Sequence, residues 1–139
     1  MFRRCLLAAV LLLAIAVAAC APTAPARAPG GPLIEYRRTG GIAGFDDQLI
    51  IQADGRAELK RRDSEQTLVL SQAELQQLTA VLEQAQFDRL KAEYLPEEEG
   101  ADLFDYVITY RGHTVHTQDT AVPGALEPVL AALNDLLAR

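Results

Sequence analysis

The chain has 139 residues, of which 13 are Lys or Arg and 19 are Asp or Glu, for a formal charge of −6 at pH 7. An acidic balance of this size argues against nucleic acid and anionic headgroups as charge-driven partners.

The first twenty residues, MFRRCLLAAVLLLAIAVAAC, read as a targeting segment. Arg3 and Arg4 form a positive start, residues 6–19 form an uncharged apolar run, and small residues precede Cys20. A membrane span needs about 20 apolar residues, so this run is too short to be one. The stretch Val17-Ala18-Ala19-Cys20 resembles a bacterial lipobox. That resemblance implies a signal peptide over 1–19, cleavage before Cys20 and lipidation of its thiol, with each buried acyl methylene contributing about 0.8 kcal/mol. Ala21 after the cysteine fits an outer-membrane destination in a Gram-negative cell. The expected location is the cell envelope, with membrane contact through the N-terminal lipid only. Removal of Arg3 and Arg4 deepens the charge to −8, and removal of Cys5 leaves only the blocked Cys20, so neither a disulfide nor a cysteine metal site is expected.

Residues 20–32 form a tether: APTAPARAPGGP follows Cys20, with four prolines, two glycines and no large apolar residue. Extended proline-rich backbone of this length reaches about 35 Å. Residues 33–139 are enough for one domain with its own core.

Two strand-like runs, LIEYRRT and DQLIIQA, flank the segment GGIAGFDD. A phosphate-cradling loop needs a Lys and a Ser or Thr after its last glycine, or a following helix N-terminus. Gly44 is instead followed by Phe45, Asp46, Asp47 and an alternating run, so Gly40, Gly41 and Gly44 read as a hairpin connection with positive φ or a bulge. Asp54-Gly55 then sits between two alternating runs as a second hairpin signal. Leu49, Ile51, Ala57 and Leu59 are expected on one face, and Arg56, Glu58, Lys60 and Arg62 on the wetted one. QTLVL, from Gln66 to Leu70, is a further short strand.

Ser71 and Glu74 form a capping box that opens a helix running to about Gln84 or Ala85. Leu75, Leu78, Leu82 and Ala85 make its apolar stripe, with Gln76, Gln77, Glu83 and Gln84 facing water. Phe87 and Leu90 are expected to fold back on the same core. YLPEEEGAD reads as a solvated acidic loop, because Glu97, Glu98 and Glu99 lack the spaced oxygens of a calcium loop. LFDYVITYRGHTVHTQD is a hairpin about Arg111-Gly112, with Phe104, Tyr106, Ile108 and Tyr110 sharing a face. A last helix is expected from Ala125 to Ala138, with Leu126, Leu130, Leu133 and Leu137 as its stripe and Pro128 in its first turn. Short strand connections imply antiparallel pairing. The expected fold is α+β: an antiparallel sheet of about five to six strands with two helices packed on one face.

No set of residues supplies a nucleophile, a base and an orienting partner. His113 and His116 lie three apart on a strand and so face opposite ways, which excludes a shared metal. Ser71 is committed to the helix cap, and Ser64 has no activating context. Asp46 with Asp47, and Asp102 with Asp105, read as solvated neighbours near turns. The chain reads as a non-enzyme without cofactor or metal.

Four stretches together resemble the emfourin family, protein inhibitors of protealysin and related thermolysin-like metalloproteases. They are Arg38-Thr39-Gly40-Gly41-Ile42-Ala43-Gly44; the helix bearing Leu75, Leu78 and Leu82 with Phe87 and Leu90; ADLFDYVITY; and DTAVPGALEPVLAALNDLL with Pro123, Leu126 and Pro128. The similarity spans residues 37–137. It implies a small α+β domain that binds a metalloprotease near its active-site cleft and blocks it. Candidate contact residues are Gly40, Gly41, Ile42, Ala43 and Gly44, with the turns Asp54-Gly55 and Arg111-Gly112 as rivals and the Glu97, Glu98, Glu99 loop as a third. An envelope lipoprotein that binds another protein without inhibiting it is the alternative. The lipobox and tether depart from the simplest cytoplasmic member and leave the target protease open.

Overall fold

A computed structural model describes residues 30–97 and 100–139. The expected signal segment, Cys20 and the tether as far as Pro29 lie outside the described residues, as do Glu98 and Glu99 of the acidic loop.

Four strands, β1 (Ile34–Gly40), β2 (Phe45–Ile51), β3 (Arg56–Arg61) and β4 (Ser64–Val69), form an antiparallel meander. Helix α1 (Gln72–Gln84) and a 3₁₀ turn (Phe87–Arg89) lead to the short β5 (Glu93–Tyr94). The hairpin of β6 (Phe104–Tyr110) and β7 (His113–Gln118) follows, then helix α2 (Glu127–Leu137). The sheet order is β4-β3-β2-β1-β6-β7-β5.

The α+β class is as expected, but the sheet has seven strands and is mixed rather than purely antiparallel. The added strand, β5, includes Tyr94, the first residue of the expected acidic loop, and pairs in parallel with β7, Glu93 opposite His116 and Tyr94 opposite Thr117. Two residues are too few to show a periodicity. The link between connection length and strand direction applies to consecutive strands, whereas β5 lies beside β7 with β6 intervening in the chain. Strand β4 also begins two residues earlier than expected, so the β3–β4 turn is only Arg62-Asp63.

Alternation places Ile34, Tyr36, Leu49, Ile51, Ala57, Leu59, Ile108 and Val115 on one buried face. Both helices cover that face. Leu78 and Leu82 descend from α1, and Val129, Leu130, Leu133, Leu136 and Leu137 from α2, while Leu75 and Ala85 pack at its margin. Each such side chain contributes about 1.5 to 3 kcal/mol when fully buried. Phe87 closes the core at one corner, edge-on to Tyr110 with ring centroids 6.1 Å apart.

The ends of the helices are held by the residues their sequence supplies. At α1, the Glu74 amide donates to Ser71 Oγ at 3.3 Å, and the Ser71 amide donates to Glu74 Oε2 at 2.8 Å. That amide, then the Ser71 hydroxyl and the Arg139 guanidinium, hold the Glu74 carboxyl down to about 2. Pro128 sits in the first turn of α2, where no helical hydrogen bond is lost. At the other end of α2, Arg61 donates to the Leu137 carbonyl, which caps an orphan acceptor and places a cation at the negative pole of the helix.

Candidate functional site

Strand register divides the expected contact residues between the two ends of the sheet. Gly40 pairs with both Phe45 and Phe104, so the glycine loop shares its end with the start of β6 and the Arg62-Asp63 turn. Asp54-Gly55 and Arg111-Gly112 lie at the other end, about 20 Å away along seven-residue strands.

That second end is committed to the fold. Asp54 pairs with Arg56 at 2.8 Å, and hydrogen bonds from the Arg56 side chain, then its backbone, hold the Asp54 carboxyl below its usual range. Gly55 is buried against Leu70, whose amide donates to the Gly55 carbonyl at 2.9 Å. The Arg111 guanidinium covers the Tyr110 ring at 4.8 Å and reaches Glu83 at 3.5 Å. Residues 30–33 also arrive here, with the Leu33 amide donating to Ile51 and the Leu33 carbonyl accepting from Arg111.

The glycine-loop end presents a different surface. Gly40, Gly41 and Gly44 have φ of 98°, 68° and 60°, values that non-glycine residues adopt only under strain. The Gly44 amide donates to the Gly41 carbonyl at 2.9 Å, and the Gly41 amide to Leu103 at 3.1 Å, so the turn is closed on itself and fastened to the segment before β6. The Phe104 ring lies close under Gly41. At the tip, Ile42 is 90% exposed. Ala43 and Phe45 beside it are exposed too.

Beneath the loop lies a polar network that the sequence reading missed. Arg38 donates to Asp47 Oδ2 through Nη2 at 2.6 Å and through Nε at 3.2 Å, and to Asn134 Oδ1 of α2 through Nη1 at 3.2 Å. Asn134 Oδ1 also accepts from the Tyr36 hydroxyl at 3.0 Å. The guanidinium is flanked by Phe45 at 5.1 Å and Phe104 at 5.3 Å, geometry suited to cation–π attraction. Asp119 accepts from the Phe104 amide at 2.9 Å and the Tyr106 hydroxyl at 2.6 Å. Burial is the main cause that pushes both Tyr36 and Tyr106 up, so each remains a neutral donor.

Asp46 and Asp47 are therefore not equivalent solvated carboxylates. Asp47 is buried against Arg38, whereas Asp46 makes an exposed pair with Arg37 at 3.1 Å. A groove of about 290 Å³ lies between the loop and the β3–β4 turn, with Ala43, Gly44 and Asp46 on one wall and Arg61, Arg62 and Asp63 on the other.

The two histidines face opposite sides, as their spacing requires. His113 lies edge-on to Phe87, 5.8 Å between ring centres, and its Nε2 is 3.1 Å from the Leu90 carbonyl oxygen. His116 Nε2 lies 3.0 Å from Asp105 Oδ1 on the uncovered face. Hydrogen bonds from Gln118 and then His116 hold the Asp105 carboxyl low, so Asp105 is tied to β7 rather than paired with Asp102. Among the described residues, no three His, Cys, Asp or Glu side chains gather as a metal site, and no helix is long and apolar enough to cross a membrane. The chain matches no protein-family model and no curated protein. What this end of the sheet offers chemically is a rigid apolar tip with charged neighbours.

Proposed function

We propose that the chain is a lipid-anchored envelope protein that binds a thermolysin-like metalloprotease through the residue 40–44 end of its sheet and blocks it by protein–protein contact. The observation that carries this reading is Ile42, a large apolar side chain 90% exposed on a loop that cannot easily relax. An exposed apolar anchor held in one conformation loses little entropy on docking. The same closure protects the loop from its target. A peptide is cut in an extended conformation, and the left-handed φ of Gly41 and Gly44, with the hydrogen bond between them, keeps Ile42 and Ala43 in a turn.

Orientation supports the same end. The chain joins the domain at residues 30–33, beside Asp54-Gly55 and Arg111-Gly112, so a tether from Cys20 would leave from the far side and point Ile42 away from the membrane. The target class comes from the emfourin resemblance of residues 37–137.

The test is a titration of several thermolysin-like proteases with the full-length chain in mild detergent, following cleavage of a peptide substrate. Activity should fall linearly to zero near one chain per enzyme, with the chain intact on a gel. No loss with any of the proteases, or loss that tracks cutting of the chain, contradicts inhibition; binding without loss of activity assigns the loop to a non-inhibitory envelope partner. For the anchor, Cys20→Ala should leave an unprocessed precursor, and normal processing to a soluble form would remove the lipid from the account.

A further inference from the structure

The geometry points to a counter-surface of defined chemistry: an apolar pocket that receives Ile42, with a carboxylate at its rim that binds Arg62. This rests on the reading that residues 40–44 dock on a protease, and it names what that protease must present.

The domain as a whole is acidic, and at the glycine-loop end Arg37, Arg38, Arg61 and Arg62 lie among Asp46, Asp47, Asp63 and Asp105. Three of the arginines are already engaged within the fold. Arg37 is paired with Asp46, Arg38 with Asp47, and Arg61 donates to the Leu137 carbonyl of α2. Arg62 is exposed and donates to the Gly44 carbonyl of the loop, and it has no carboxylate partner among the described residues. A guanidinium carries five N–H donors in a planar fork that matches a carboxylate. The bond to Gly44 therefore positions Arg62 without neutralising it.

Arg62 and Ile42 also belong to one rigid unit, because the residue Arg62 holds, Gly44, is the residue that closes the turn carrying Ile42. The groove that Arg62 lines is about 290 Å³, at the lower edge of the range for small-molecule sites and wide enough to admit a side chain of a partner. An apolar anchor next to an unneutralised arginine is the pairing that dominates many interfaces. Electrostatics sets the orientation as well. Asp46 and Asp63 line the same groove, so a partner carboxylate is favoured only where it meets Arg62 itself and is repelled to either side, which fixes one register of docking.

Four variants of the full-length chain test this against whichever thermolysin-like protease the wild-type chain inhibits. Ile42→Asp should raise the inhibition constant about 100-fold. Arg62→Gln removes the charge while keeping a polar side chain, and should weaken inhibition about 10-fold; Arg62→Glu should weaken it about 100-fold. Asp63→Asn, the neighbouring charge of opposite sign, should leave inhibition unchanged or improve it. Thermal unfolding of all four should match wild type, since the three altered side chains are exposed. Inhibition by Ile42→Asp and Arg62→Glu at wild-type strength would overturn this assignment while leaving the inhibitor reading in place. Equal weakening by Arg62→Gln and Asp63→Asn would show that charge is not read. Failure of the wild-type chain to inhibit any protease tested would remove both the inhibitor reading and this one.

Discussion

Asp47→Ala is expected to cost about 2 to 3 kcal/mol of folding stability, measured by chemical denaturation, whereas Asp46→Ala, one residue earlier, should change it by less than about 0.5 kcal/mol. The two carboxylates have the same chemistry and adjacent arginine partners, and they differ in solvent. The Arg38–Asp47 side chains are 22% and 6% exposed, and those of Arg37 and Asp46 are 57% and 54% exposed. Removing Asp47 leaves a guanidinium among Phe45, Phe104 and Asn134 with one neutral acceptor in place of a carboxylate. Complete burial would cost more, and the partial exposure of Arg38 moderates the loss. Replacing both partners together, Arg38→Met with Asp47→Leu, should recover most of the stability, because the desolvation cost of the pair disappears along with its attraction. The double variant should nonetheless hold the loop less well, since the bond from Arg38 to α2 is gone.

A second large effect is expected at Gly40. Gly40→Ala should cost about 3 kcal/mol or more, and inhibition should fall with it. Two penalties coincide there: φ of 98° is unfavourable for any side chain, and a Cβ at this position collides with the Leu103 carbonyl oxygen. That carbonyl accepts the Gly41 amide, so relieving the collision detaches the loop from its support. Gly112→Ala is the control. Its φ of 85° is similarly unfavourable, but nothing lies within 4 Å of the added carbon, so only the conformational cost of about 1 to 2 kcal/mol applies. Equal costs at the two glycines would mean that the Leu103 contact does not brace the loop.

Much of this fold was legible because its local signals agree. Alternation alone sets Leu49 and Ile51 beside Ala57 and Leu59, the Ser71–Glu74 box marks the start of α1, and the leucine stripe of α2 marks its buried face. The network under the loop was legible in principle. Asp47 lies in phase with Leu49 and Ile51, Arg38 with Ile34 and Tyr36, and Asn134 with Leu130 and Leu137. Polar residues in the apolar phase of three separate elements indicate a buried polar contact, and reading Asp46 and Asp47 as a solvated pair near a turn overlooked that phase. Other features carried no local signal. Nothing in β1 states that it will lie between β2 and β6, and without that register the glycine loop cannot be told to share an end with Arg62 rather than with Asp54-Gly55. Strand β5 is defined by its neighbour, not by its own two residues.

One end of this sheet, the end bearing Ile42, is the surface we propose meets the partner. The most direct test is an amide NMR titration of the isotope-labelled full-length chain in detergent with an inhibited thermolysin-like protease. The amides of Gly41, Ile42, Ala43 and Gly44, with those of Arg62 and Asp63 across the groove, should shift or broaden first, while those of Asp54, Gly55, Arg111 and Gly112 should stay in place. Perturbation confined to the Asp54-Gly55 and Arg111-Gly112 end, with the residue 40–44 amides unmoved, would contradict it.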